Sequence, residues 1–87
     1  PSAPRTLKAT ITSSKGVQLN WTASADNNGV SGYEIWRDGT LYRLSGFSAN
    51  YTNTAVTVGK TYKYKVRAYD AAGNVSAFSN EVSITVR

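Results

Sequence analysis

The sequence predicts an all-β fold in which seven antiparallel strands form two packed sheets. Three observations carry that expectation. Short runs rich in Thr, Val, Tyr and Ile alternate apolar and polar side chains with a period of two. Turn signals at Ser13–Gly16, Asp26–Gly32, Asp38-Gly39, Ser45–Ser48, Val58-Gly59 and Asp70–Asn74 separate these runs, roughly the 8–12-residue rhythm of a sandwich or barrel. No window repeats apolar residues at helical spacing over three turns, so no helix is expected.

Each element follows from its alternation. Leu7, Ala9 and Ile11 alternate with Thr6, Lys8 and Thr10; Pro4 just before them cannot donate to a ladder, which makes this first strand an edge. Val17, Leu19 and Trp21 alternate with Gln18, Asn20 and Thr22 in the second strand. In the third, Tyr33 and Ile35 face in while Glu34 and Trp36 face out. Asp38-Gly39 then closes a two-residue hairpin onto Tyr42–Leu44. Asn50–Thr54 supplies a short fifth strand. Tyr62, Tyr64, Val66 and Ala68 point inward from the sixth and Lys63, Lys65 and Arg67 outward; Val82, Ile84 and Val86 end the series. One buried and one wet face per strand is the antiparallel pattern.

Composition narrows function. The chain has 87 residues, enough for one domain. It has no His and no Cys, which removes the commonest general base, the commonest transition-metal ligands and any disulfide. Five carboxylates offer no matched pair across a cleft, so no glycosidase machinery is expected. No apolar run approaches the ~20 residues that cross a bilayer, and no membrane partner is expected. The opening Pro-Ser-Ala-Pro reads as linker and carries no targeting signal, so residues 1–4 are assigned to a linker and 5–87 to one folded module of a longer protein.

Several motifs resemble one family. Trp21 on the second strand, Tyr33 opening the third and Val56-Thr57-Val58-Gly59-Lys60-Thr61-Tyr62 before the sixth are similar to the fibronectin type III domain. Gly59 and Tyr62 match the family's Leu-x-Pro-Gly-x-x-Tyr motif, whereas Val56 and Val58 stand for its Leu and Pro. The stretches Asp26–Tyr33 and Tyr69–Ser76 resemble its bacterial branch, found as spacers in secreted chitinases, cellulases and other polymer-degrading enzymes. The resemblance implies an immunoglobulin-like sandwich with sheets of three and four strands. It implies a secreted, non-catalytic, monomeric spacer without cofactor, whose partners are flanking domains of a glycoside hydrolase, a chitinase first among them. A protein-adhesion module of a cell-surface protein is another reading, although no Arg-Gly-Asp occurs.

The residues singled out divide into frame and surface. Trp21, Tyr33, Gly59 and Tyr62 are assigned to structure, with the Tyr62 hydroxyl bonding back to backbone near Val56. Trp36, Tyr42, Lys63, Lys65, Arg67 and Tyr69 are the candidate ligand surface; Lys60, Arg37 and Arg43 extend the basic set. The family's sheet order sets Trp36 beside Lys63, Lys65 and Arg67. There it either stacks weakly on a pyranose of insoluble chitin or cellulose or packs on lysine stems. Tyr64 interleaves with the lysines but points inward, so no nucleic-acid partner is expected. Asp26, Asn27, Asn28, Asp70 and Asn74 could offer oxygens to Ca²⁺, although the spacing fits no EF-hand; the other reading is that Asp26, Asn28, Asp70 and Asn74 make turn hydrogen bonds to their own backbone.

Overall fold

The computed structural model describes residues 2–24, 29–46 and 48–87. Seven strands run in chain order: β1 (Arg5–Ile11), β2 (Val17–Thr22), β3 (Gly32–Arg37), β4 (Thr40–Ser45), β5 (Asn50–Asn53), β6 (Thr61–Tyr69) and β7 (Val82–Thr85). They form a three-stranded sheet, β1-β2-β5, and a four-stranded sheet, β4-β3-β6-β7, with every pair antiparallel. The seven strands are as the alternation requires, and β1 is the edge that Pro4 marks. β4 is longer than the alternation shows, because its polar ends pair with β3 without burying anything.

The core lies between the sheets. Leu7, Val17, Leu19, Trp21, Tyr33, Ile35, Tyr62, Tyr64, Val66, Ala68 and Val86 are buried there, the inward parity of each strand. Pro4, grouped by composition with the linker, is also fully buried, so packing begins one residue ahead of β1. Asp38 (φ 53°) and Gly39 (φ 82°) both have left-handed backbone. Those angles make the type I′ turn whose twist matches the strands it joins.

The second half of β6 has no strand on its outer edge. Residues 76–80 run along it as a strap. The Ser76 and Ser79 amides donate to the Ala68 and Val66 carbonyls (2.9 and 2.8 Å). Their hydroxyls accept the Ala68 and Val66 N–H groups (2.8 and 3.1 Å), standing where strand carbonyls would be. Asn80 then turns its amide onto β1, accepting from the Leu7 N–H (2.9 Å) and donating to the Leu7 carbonyl (3.0 Å). One side chain thus ties the edges of both sheets.

The two ends of the fold are distinct. Arg5 pairs with Thr22, at the pole where Gly32 pairs with Tyr69. Thr85 pairs with Thr61, and Gly59 donates to the Val86 carbonyl (2.7 Å), at the other pole. The body measures 41 × 22 × 19 Å.

Candidate functional site

The outer face of the four-stranded sheet gathers part of the expected surface. Register sets Glu34 opposite Arg67 and Trp36 opposite Lys65. The Glu34 carboxylate accepts from the Trp36 indole N–H (2.8 Å) and from Arg67 Nε (2.6 Å). Phe78, carried by the strap, meets Trp36 edge-to-face with centroids 5.3 Å apart. Lys65 and Arg67 lie over the Phe78 ring (4.2 and 4.8 Å), and Arg67 also lies over Trp36 (5.3 Å). Trp36 is half-buried, with its polar edge spent on Glu34 and its ring engaged by Phe78 and a guanidinium. These are the contacts of cross-strand packing. Phe78 was not legible as its neighbour, because nothing in the sequence marks residues 76–80 as running beside β6.

Tyr69 shares that face but is not free. Its ring lies on Gly32, its register partner: a Cβ built on Gly32 would meet the Tyr69 hydroxyl at 2.7 Å and Cζ at 2.9 Å. The aromatic fills the gap that the glycine leaves in β3. Lys63 faces Ser83 and is exposed.

Tyr42, Arg37 and Arg43 do not join Trp36, which corrects the expected surface. The β3–β4 register shifts at Ile35/Trp36: Ile35 pairs with Arg43 and Trp36 with Leu41, leaving Tyr42 as the extra residue of a bulge. Tyr42, one residue past Leu41, faces between the sheets, where its hydroxyl donates to Asn53 Oδ1 (3.0 Å). Asn53 is 1% exposed; it also accepts the Ala55 N–H (3.1 Å) and donates to the Tyr64 hydroxyl (2.7 Å). Burial pushes the Tyr64 phenol above the ordinary tyrosine range despite that hydrogen bond. Arg37 has the inward parity of Tyr33 and Ile35. Its guanidinium lies over Tyr42 (4.1 Å) and Tyr62 (5.1 Å) and donates to the Ala55 carbonyl (2.9 Å). Arg43 lies over Tyr42 (5.1 Å) and Lys60 over Tyr62 (5.3 Å). The basic residues therefore form two separate groups, one around Trp36 and Phe78 and one around Tyr42 and Tyr62.

The frame residues sit as follows. Trp21 is 6% exposed and meets Tyr33 edge-to-face at 5.2 Å, and the Tyr33 hydroxyl accepts the Ser24 N–H (2.9 Å). Gly59 has φ 90°, which a side chain resists. The Tyr62 hydroxyl accepts the Thr57 N–H (2.8 Å), one residue from Val56. Desolvation opposes ionisation of that phenol, but the Thr57 hydrogen bond and the charges of Lys60 and Arg37 outweigh it and hold the phenol below its usual value.

Asp70 is consumed by its own turn. Its Oδ1 accepts from the Asn74 and Ala72 amides (2.9 and 3.0 Å) and its Oδ2 from Asn74 Nδ2 (3.2 Å). The Asn74 amide is the largest cause that holds this carboxyl below the usual range. Asp26, Asn27 and Asn28, the other half of the suggested Ca²⁺ site, lie outside the described residues. Among the described residues no group of three His, Cys, Asp or Glu could hold a metal ion.

Comparison with known proteins places this geometry. A sequence model described as "Fibronectin type III domain" matches residues 2–85. An alpha-amylase of Niallia circulans is 40% identical over 85 residues, which are 98% of this chain and 6% of that protein. Chitinase Chi52 of Paenibacillus xylanexedens is 42% identical over 85 residues, 98% of this chain and 16% of that protein. Among solved structures, chitinase ChiA74 from Bacillus thuringiensis superposes with a TM-score of 0.81 at 32% identity, over 97% of this chain and 13% of that one. The chain thus spans a small part of each of these relatives.

Proposed function

The chain belongs to the fibronectin type III family, and from that premise we propose that it is a non-catalytic spacer in a secreted bacterial polysaccharide-degrading enzyme, a chitinase in the first instance. Residues 5–87 form the spacer, Pro4 packs against it and residues 1–3 lead into it. One observation carries the reading: β1 begins and β7 ends at opposite poles of a body 41 Å long. Domains joined before and after it are held apart along that axis. A flexible Gly/Ser chain of the same residue count would average ~50 Å end to end but would sample every shorter distance. A stiff body removes those short distances and so sets the effective concentration of one domain at the site of the other. The similarity to parts of a chitinase and an alpha-amylase supports the polysaccharide context.

The test is a chimera that joins a chitinase catalytic domain to a chitin-binding domain through this chain, compared with a Gly/Ser linker of matched span. Turnover of soluble chito-oligosaccharides should be the same for both. Degradation of insoluble chitin should be faster with the folded spacer, and small-angle scattering should show a narrower inter-domain distance distribution. Equal rates on the insoluble polymer together with equal distributions would refute the spacer.

A further inference from the structure

Arg43, Tyr42, Arg37, Tyr62 and Lys60 form a ladder at the β7 pole, cation and ring in alternation. Arg43 and Arg37 both lie over Tyr42, at 5.1 and 4.1 Å; Arg37 and Lys60 both lie over Tyr62, at 5.1 and 5.3 Å. Three positive charges thus follow one another at separations of no more than about one Debye length, ~10 Å. Among the described residues no carboxylate pairs with them. The only ion pair among the described residues is Arg67–Glu34, on the other side of the sheet. The Asp38 carboxylate accepts the Lys63 N–H, and that of Asp70 is spent in its turn. Arg43 and Lys60 are exposed.

The ladder is also preorganised. Arg37 is held by the Ala55 carbonyl, Tyr42 by Asn53 and Tyr62 by the Thr57 amide. Arg43 reaches this place because the β4 bulge sets it, like Tyr42, on the side of Ile35. Cations fixed before binding lose little side-chain freedom when an anion arrives.

We propose that this ladder is a binding stripe for an acidic polysaccharide, whose sugar carboxylates meet Arg43, Arg37 and Lys60 in turn. The choice of a glycan rests on the polysaccharide-enzyme reading above; the anionic character rests on the ladder alone. Both rings already carry cations, which leaves no free aromatic face for a nucleobase or for a neutral pyranose. Ion contacts to a polymer bearing one carboxylate per sugar are the chemistry that remains.

The test is an amide and side-chain NMR titration of the 87-residue chain with oligogalacturonate, against chitohexaose, poly-L-glutamate and single-stranded DNA at matched carboxylate or phosphate concentration. Oligogalacturonate should shift Arg37, Tyr42, Arg43, Lys60 and Tyr62, and chitohexaose should not. Arg43→Ala with Lys60→Ala should weaken binding about tenfold, the effect of two lost charge contacts. Arg5→Ala with Lys8→Ala removes the same charge from β1, away from the ladder, and should leave affinity unchanged. Arg43→Lys should restore part of what Arg43→Ala loses. Equal losses in the two double variants would reduce the effect to net charge and overturn the stripe. Affinity for poly-L-glutamate or DNA as high as for oligogalacturonate would overturn the glycan assignment, and so would absence of shifts at the ladder. The chimera assay reads a distance and involves none of these residues, so the spacer stands or falls separately.

Discussion

Gly32→Ala tests the packing of the four-stranded sheet at one methyl group. Gly32 has no positive φ, so alanine meets no backbone penalty there. Relief of unfolded-chain entropy would on its own stabilise the domain by about 0.4–1 kcal/mol. Space decides otherwise. The new Cβ would stand 2.5 Å from the Ser45 carbonyl oxygen, 2.7 Å from the Tyr69 hydroxyl and 2.9 Å from Tyr69 Cζ. The tyrosine can swing away, at the loss of its packing on β3. The carbonyl cannot move without loosening the Tyr33–Ser45 pair of the β3–β4 ladder. Overpacking of this kind costs about 1–3 kcal/mol, and with one obstacle in the backbone the upper half of that range applies. The net loss should be about 2 kcal/mol, or roughly 8–16 °C in Tm for a domain this size. Thermal and urea melts of wild type, Gly32→Ala, Tyr69→Ala and the double variant measure it. In the Tyr69→Ala background the same methyl should cost about 1 kcal/mol less, since only the Ser45 obstacle remains. A neutral or stabilising Gly32→Ala would refute the reasoning. An identical cost in both backgrounds would show that the Tyr69 ring does not lie on Gly32.

Three further outcomes are expected. Trp21→Ala should cost about 3–5 kcal/mol in urea melts and Trp36→Ala clearly less, because Trp21 is a core residue and Trp36 is half in water; equal losses would invert the strand phase. Asn53→Ala should cost about 2–3 kcal/mol, because it strands the Tyr64 hydroxyl and the Ala55 amide in the interior; a loss near zero would mean that water takes its place. The Asp70 carboxyl titrates lower in the folded state than in the unfolded chain, so its stabilisation is complete above the unfolded value and disappears as pH falls through the folded one. Stability should therefore drop on acidification below about pH 4, and Asp70→Asn should flatten that limb; an unchanged acid limb in the variant would exclude Asp70 as its source.

Much of this fold was legible because one parity governs each strand. Trp21, Tyr33, Ile35, Tyr64 and Val66 occupy the core that alternation assigns them, and Asp38-Gly39 forms the turn that its two residues favour. The candidate surface was less legible, and for one reason. Alternation holds only while pairing is regular. Tyr42 follows Leu41, the partner of outward Trp36, and so lies on the inward side; the extra residue then carries Arg43 to Ile35 and shifts the parity of the rest of β4. Arg37 has inward parity all along, but a charged strand end gives no sign that two tyrosines will cover it. Phe78 was hidden because the strap holds β6 with serine hydroxyls, which no strand propensity reports.

The strap has a bearing on how many of these molecules can crowd together. A sandwich that does not close into a barrel leaves strand margins able to recruit a neighbour's backbone. Here each margin is blunted. The outer side of β6 beyond its pairing with β7 is capped by Ser76 and Ser79. The β1 margin is gripped by Asn80 at Leu7 and broken between Arg5 and Lys8. The β4 margin is interrupted at Tyr42, and β5 and β7 are only four residues long. Copies of this chain brought close together are thereby kept from knitting into fibrils through their strand margins.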